Sequence, residues 1–224
     1  MGSKIKILGI CGSPVKGGNV EIVLREALLK ARQRSGVNAE IITLADKNIG
    51  GCTHCNWCVR NQSKERFCFQ EDGMEDVYPK ILEADGIVIA SPVHFGRISG
   101  LTANMMDRLR VFVHGSFYKG RMRNKIGGAL VVGFYRGGGV ETALISINSS
   151  FFALQMIVAT SRLYQLGAAC LSSAEGKGKV TKGIKAMAIE DEFGLASVDQ
   201  LMDRIVELSS IMKVSERAQK SYLP

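Results

Sequence analysis

Two kinds of run alternate along the chain. Residues 4–10, 86–90 (GIVIA) and 126–133 are short, nearly continuous apolar stretches, the kind buried on both faces of a parallel sheet. Residues 38–44 carry a further strand pattern and 167–171 a weaker fifth. Between them the apolar positions take helical spacing. Val20, Val23, Leu24, Ala27, Leu28 and Ala31 form one stripe with charges opposite, which predicts a helix over 19–34. Further helices are predicted over 74–84, 101–113, 139–162 and 198–212, the last opened by Ser197 and Gln200 at capping-box spacing. Pro79 falls inside the second helix and removes one of its hydrogen bonds. Residues 172–196 are a Gly- and Lys-rich connection long enough to predict a lid, or an arm that docks on another subunit.

Strands alternating with helices predict the α/β class: a doubly wound, five-stranded parallel sheet in the flavodoxin-like order 2-1-3-4-5, with helices on both faces. The 224 residues, 46% of them hydrophobic, suit a single domain over 1–224, with a cysteine-rich loop at 50–72. Ligands of such sheets bind at the carboxyl ends of the strands, near the switch point between strands one and three. The loops after strands one, three and four are therefore the informative ones.

Charge and targeting narrow the partners. No apolar run reaches the roughly 18 residues of a membrane span, and the first residues enter a strand pattern without a signal-peptide core, so a cytoplasmic protein is expected. Lys6 stands where an N-terminal lipidation motif needs Ser or Thr. The formal charge of +8 suits an acidic partner. The basic residues, however, are scattered or lie in two loops, 119–125 and Lys177, Lys179, Lys182 and Lys185, with few aromatics for base stacking, so nucleic acid is not expected.

After the first strand comes Gly12-Ser13-Pro14-Val15-Lys16-Gly17-Gly18-Asn19, leading straight into a helix. Small residues let the backbone wrap an anion, the helix N-terminus supplies free N–H groups, and Ser13, Lys16 and Asn19 add donors. This predicts a phosphate site. It lacks both the GxGxxG pattern and the Walker lysine, which argues against a dinucleotide or ATP phosphate here.

Gly12-Ser13-Pro14 with Gly18-Asn19 resembles the FMN-phosphate loop of the NADPH-dependent FMN reductase superfamily. Ser91-Pro92-Val93-His94-Phe95-Gly96, with Ile98-Ser99-Gly100, resembles its second flavin loop, and Arg136-Gly137-Gly138-Gly139-Val140-Glu141-Thr142 its third. The resemblance runs over nearly the whole chain. It implies FMN as cofactor, its phosphate near Ser13, Lys16, Gly18, Asn19 and Val20. The isoalloxazine is then framed by the backbone of Pro92, Val93, His94, Phe95 and Gly96 and by Arg136, Gly137, Gly138 and Gly139. Two departures stand out. Val20 replaces a hydroxyl residue, and His94 replaces the usual Tyr, whose place against the flavin edge it is expected to fill without acid/base duty.

Four of the six cysteines fall between strand two and the next helix: Cys52, Cys55 and Cys58 at CxxCxxC spacing, then Cys68. Three thiolates from one tight loop can hold three corners of an iron-sulfur cubane, and a fourth cysteine closes it. The arrangement resembles the iron-sulfur flavoprotein branch of the same superfamily, whose cysteine motif precedes a DDM-like turn, here Glu71-Asp72-Gly73-Met74. The gap before Cys68 is longer than usual in that branch, and His54 is an alternative fourth ligand. Structural zinc and redox-active thiols remain open readings. Cys11 and Cys170, in or beside strands, are expected to be buried apolar residues.

Together these parts predict an FMN-dependent oxidoreductase with a 4Fe-4S cluster, passing electrons between a one-electron carrier and a two-electron donor or acceptor. No catalytic acid/base dyad is found. Ferredoxin-like carriers are typically acidic, and the positive chain would speed their encounter. The resemblance also implies a homodimer or homotetramer. The competing readings are an NAD(P)H-dependent reductase of flavin, quinone or azo compounds without a cluster, and a non-catalytic flavin electron buffer.

Overall fold

Why the strands lie where they do follows from the two faces they must bury. In β1 (Ile5–Cys11), Leu8 and Ile10 point into one apolar cluster while Ile7 and Cys11 point into another. The sheet divides these two cores. The computed structural model describes residues 4–180 and 186–222, with side chains described to 215; Lys182 and Lys185 lie outside the described residues.

From β1 the chain enters α1 (Asn19–Arg32) and returns as β2 (Val37–Thr43). The short α2 (Trp57–Asn61) and α3 (Met74–Glu83) lead to β3 (Gly86–His94), a two-residue β4 (Arg97–Ile98), α4 (Gly100–Arg108) and α5 (Arg110–His114). Then follow β5 (Ile126–Gly133), α6 (Val140–Ala153), β6 (Ile157–Ala159), β7 (Ala168–Leu171) and the long α7 (Glu192–Tyr222). The helices α1 and α7 cover one face; α3, α4, α5 and α6 cover the other. Pro79 is accommodated inside α3.

The parallel sheet runs β2-β1-β3-β5-β6, the flavodoxin-like class expected, with one elaboration. The fifth position is filled by two short strands: β6 pairs with the start of β5 and β7 with its end. The helix expected over 139–162 therefore stops at Ala153. Gln155 takes a left-handed turn (φ 57°), and the β-branched Ile157 and Val158 continue in extended form. The helix expected over 101–113 is divided at Leu109 into α4 and α5.

The capping expectation at Ser197 is corrected. The last helix starts six residues earlier, where Asp191 accepts from the Gly194 N–H (2.9 Å) in the manner of an N-cap. Ser197 is buried inside the helix and accepts instead from the Ala169 N–H. Within 172–196, the described residues fold back on their own domain as two short 3₁₀ turns, 174–176 and 187–190. The second packs against α1, β7 and α7. Cys11 and Cys170 are buried in the α1/α7 core, and burial pushes their thiols up to about 11 and about 12. Among the described residues no helix is long and apolar enough to cross a membrane.

Candidate functional site

The loop after β1 is an anion cradle already partly wired. Ser13 Oγ is buried and accepts from the Val15 N–H (3.1 Å), so it shapes the turn. Lys16 is exposed and ion-paired with Asp46 beyond β2. The Gly17 N–H donates to Glu21 Oε2 (2.8 Å), and Glu21 in turn pairs with Arg25. Burial pushes the Glu21 carboxyl up, but the Gly17 N–H and Arg25 more than offset it and hold it below the ordinary range. Asn19 Oδ1 accepts from the Ala188 N–H (2.8 Å), which ties the 187–190 turn to the cradle. The Val20 side chain is buried in the α1/α7 core, as the apolar stripe of α1 predicts, so only its backbone can serve the loop.

The second loop is a β-hairpin. Val93 and His94 pair with Ile98 and Arg97 across Phe95-Gly96, whose φ values of 48° and 77° are those of a type I′ turn. Phe95 stands fully exposed at its tip. The third loop touches the second glycine to glycine. Gly139 has φ 98°, and a Cβ there would lie 2.4 Å from Gly96 Cα. The Arg136 N–H donates to Gly176 O and its guanidinium reaches Glu175 O, both in the 174–176 turn, while the Gly138 N–H closes the loop on Tyr135 O. Of the four residues expected to frame a flavin, Gly137 and Gly139 are the ones whose amides have no hydrogen bond among the described residues.

What locks the first loop to the second was not evident from the sequence. Three buried hydroxyls, Ser91, Ser99 and Thr102, interlink at 2.8–3.1 Å. Ser99 and Thr102 donate to Gly12 O (2.6 and 3.2 Å). A Cβ on Gly12 would collide with Thr102 Oγ1 at 1.9 Å. Ser99 also caps α4 through the Thr102 N–H. The only available signal was the Ser-x-x-Thr spacing before a helical pattern.

The cysteine loop hangs from the other end of α4. Arg108, 1% exposed, pairs with Asp72 through Nη1–Oδ2 (2.5 Å) and Nη2–Oδ1 (3.2 Å), and donates to Gly50 O (3.0 Å). Asp72 also accepts from the Met74 N–H at the start of α3. Burial raises the Asp72 carboxyl, but Arg108 and the Met74 N–H overcome it and hold the group below its ordinary value. Asn104 Nδ2 donates to Ile49 O at the loop's entry. The sequence did carry one trace of this strut, a charged Arg108 in the apolar stripe of Leu101, Met105 and Phe112.

Left-handed backbone at His54 (φ 56°) and Asn56 (φ 59°) curls the loop so that Cys52, Cys55 and Cys58 follow one another around it. Cys58 is buried and Cys55 exposed; Cys52 and Cys68 are half-buried. Burial raises the Cys58 thiol against the opposing pull of Arg110, and Cys68, Cys52 and Cys55 all lie close enough to add to the rise. Arg110 also donates to Asn56 Oδ1 (2.6 Å) and lies 3.8 Å from Cys58 Sγ. Arg60 donates to Cys55 O, and Arg66 to Cys68 O while standing over the Trp57 ring. Among the described residues no three His, Cys, Asp or Glu side chains converge on a point suited to one ion.

An open α/β sheet with glycine-rich loops after its first, third and fourth parallel strands defines a flavodoxin-like, flavin-binding class of protein. The sequence pattern of the NADPH-dependent FMN reductase family matches residues 5–169, and the chain belongs to that family. It is an FMN-dependent oxidoreductase. Among curated relatives it is similar to an iron-sulfur flavoprotein of Methanocaldococcus jannaschii, 34% identical over 209 residues that cover 93% of this chain and 100% of the relative. It is also similar to one of Archaeoglobus fulgidus, 31% identical over 220 residues, covering 93% and 98%. Among solved structures the fold matches RosB, captured with 8-demethyl-8-formylriboflavin-5'-phosphate, at TM-score 0.70 and 16% identity over 97% of this chain and 86% of that one. An archaeal flavodoxin matches at TM-score 0.53 and 15% identity, covering 92% and 99%.

Proposed function

We propose that the chain pairs FMN with an iron-sulfur cluster and moves electrons between a one-electron carrier and a two-electron partner. The observation that carries this reading is α4. Its N-terminal end, through Ser99 and Thr102, clamps Gly12 of the flavin cradle, and its C-terminal Arg108 clamps the cysteine loop. The two anchors are roughly 13 Å apart at 1.5 Å per residue. One short rigid element thus fixes both sites in register.

FMN, when bound, takes up electrons singly or in pairs, and an iron-sulfur cluster passes them singly. The residues present fit both groups. Gly12 and Gly139 let the three loops pack against one another where a side chain cannot stand, Gly96 leaves open space at the hairpin tip, and the α1 N-terminus with Lys16 suits a phosphate. Cys52, Cys55, Cys58 and Cys68 lie within mutual electrostatic reach and supply the four thiolates that a 4Fe-4S cluster takes. The archaeal relatives, iron-sulfur flavoproteins, support the same reading. Arg110, beside Cys58, and Arg60 and Arg66, on the loop carbonyls, set positive charge around the cysteine loop.

The test is anaerobic purification with iron, acid-labile sulfide and zinc assays, on wild type and Cys55→Ala. About four iron per chain, lost in the variant with FMN retained, is the expected result. FMN without iron, together with steady NAD(P)H oxidation, would instead make it a plain FMN-dependent reductase.

Two further proposals concern partners. An acidic carrier such as a ferredoxin docks through the arginines about the cysteine loop, so its reduction rate should fall steeply with ionic strength; a salt-indifferent rate contradicts this. The exposed Phe95 and Tyr135 beside the flavin loops support a homodimer or homotetramer, which a single-chain mass in sedimentation would rule out.

A further inference from the structure

At the amino ends of the strands, away from the flavin loops, the molecule has a second concave site. It is a cleft of about 480 Å³ between the α5–β5 connection and α7. Its position is fixed by Asp85 and Lys125, the residues that immediately precede β3 and β5. Five cations line it, Lys64, Arg121, Arg123, Lys125 and Lys213, against the single carboxylate of Asp85.

These cations divide into two groups. Lys213 belongs to the frame: its Nζ pairs with Asp85 Oδ2 (2.6 Å) and donates to Lys4 O. Lys125 belongs to it too, donating to Leu82 O and Ala84 O. Asp85 is further used by the Lys6 N–H (2.7 Å), so the one carboxylate is already engaged. Lys64, Arg121 and Arg123 are exposed and form no ion pair among the described residues. Like charges gathered in a concave, low-dielectric wall repel one another and focus a positive potential into it. An anionic occupant relieves that repulsion.

The cleft also has an aromatic wall. Phe117, 45% exposed, lines it and is backed edge-on by Tyr118 at 4.9 Å; Tyr118 in turn stacks on Phe67 at 4.2 Å. Ser209, also lining the cleft, is 1% exposed and its hydroxyl has no hydrogen-bond partner among the described residues. A lone phosphate or sulfate needs far less room than this, whereas the volume falls within the roughly 300–1,000 Å³ of small-molecule sites. Guanidinium forks match phosphate oxygens bidentately, and an exposed ring offers a face for a planar base.

We propose that this cleft binds a nucleotide, its phosphates held by Arg121, Arg123 and Lys64 and its base laid on Phe117. The site lies at the opposite end of the sheet from the flavin loops, with Lys64 contributed by the cysteine-rich loop.

The experiment uses the full chain loaded with FMN, so that the flavin-phosphate cradle is filled, and titrates ADP, inorganic pyrophosphate and adenosine calorimetrically. ADP is expected to bind once per chain, at least about tenfold tighter than either fragment. The double variant Arg121→Ala/Arg123→Ala should weaken ADP at least about tenfold, and Phe117→Ala should bring ADP down to the affinity of pyrophosphate. Unchanged FMN content and melting temperature establish that the variants fold. No binding of ADP, binding indifferent to the double variant, or equal affinity for ADP and pyrophosphate would each overturn the proposal.

Discussion

Replacing Gly139 with Val is expected to weaken FMN binding by roughly 100-fold, about 2.8 kcal/mol, while leaving the sheet intact. Two independent penalties act there. The backbone holds φ 98°, a region that costs a β-branched residue about 1–3 kcal/mol. The new Cβ would also fall 2.4 Å from Gly96 Cα and 2.5 Å from Gly96 O, both backbone atoms that cannot rotate away. The third loop must therefore separate from the Phe95-Gly96 hairpin, and the two loops lose their common geometry. Gly100→Ala is the matched control. Nothing lies within 4 Å of its added Cβ, and in the first turn of α4 an alanine is favoured, so FMN affinity should stay near wild type. Fluorescence quenching of FMN titrated with each apoprotein checks both.

The second large effect is expected at the strut beneath the cysteines. Arg108→Met should destabilise the fold by about 3–5 kcal/mol, because it strands the Asp72 carboxylate in a mostly buried site without its cation. The double variant Arg108→Met/Asp72→Leu should recover part of that loss, since removing both charges leaves no unpaired ion. Urea unfolding of the three proteins measures the difference. A pH dependence follows. The folded Asp72 carboxyl lies below the unfolded value of about 3.9, so its stabilising contribution is complete above that unfolded value and is lost as pH falls through the folded one. The stability gap between wild type and Asp72→Asn should accordingly narrow on acidification from about pH 6 to pH 3.

Much of this architecture was legible in the residues. The continuous apolar runs of β1, β3 and β5 can be buried only in a two-sided parallel sheet, and the loops after them carry the glycines and polar residues that chemistry at strand ends requires. Placement failed where local signals compete with tertiary ones. Residues 157–159 continue the apolar content of α6, and only the left-handed turn at Gln155 separates them. Ser197 looks like a cap in sequence, yet Asp191, six residues earlier, takes that role, and its carboxylate also accepts from the Leu171 N–H. The devices least visible were those joining segments distant in sequence: Thr102 to Gly12, Arg108 to Asp72, Arg110 to Asn56. Each needs the fold before its partner is known.

The central claim is that one chain holds two redox centres fixed in register by α4. An anaerobic dithionite titration of the purified holoprotein, followed by absorbance, tests it most directly. Uptake of about three electrons per chain, two bleaching the FMN bands and one the broad absorbance of the cluster, is the predicted result. A titration complete at two electrons, with the flavin bands alone responding, would contradict it.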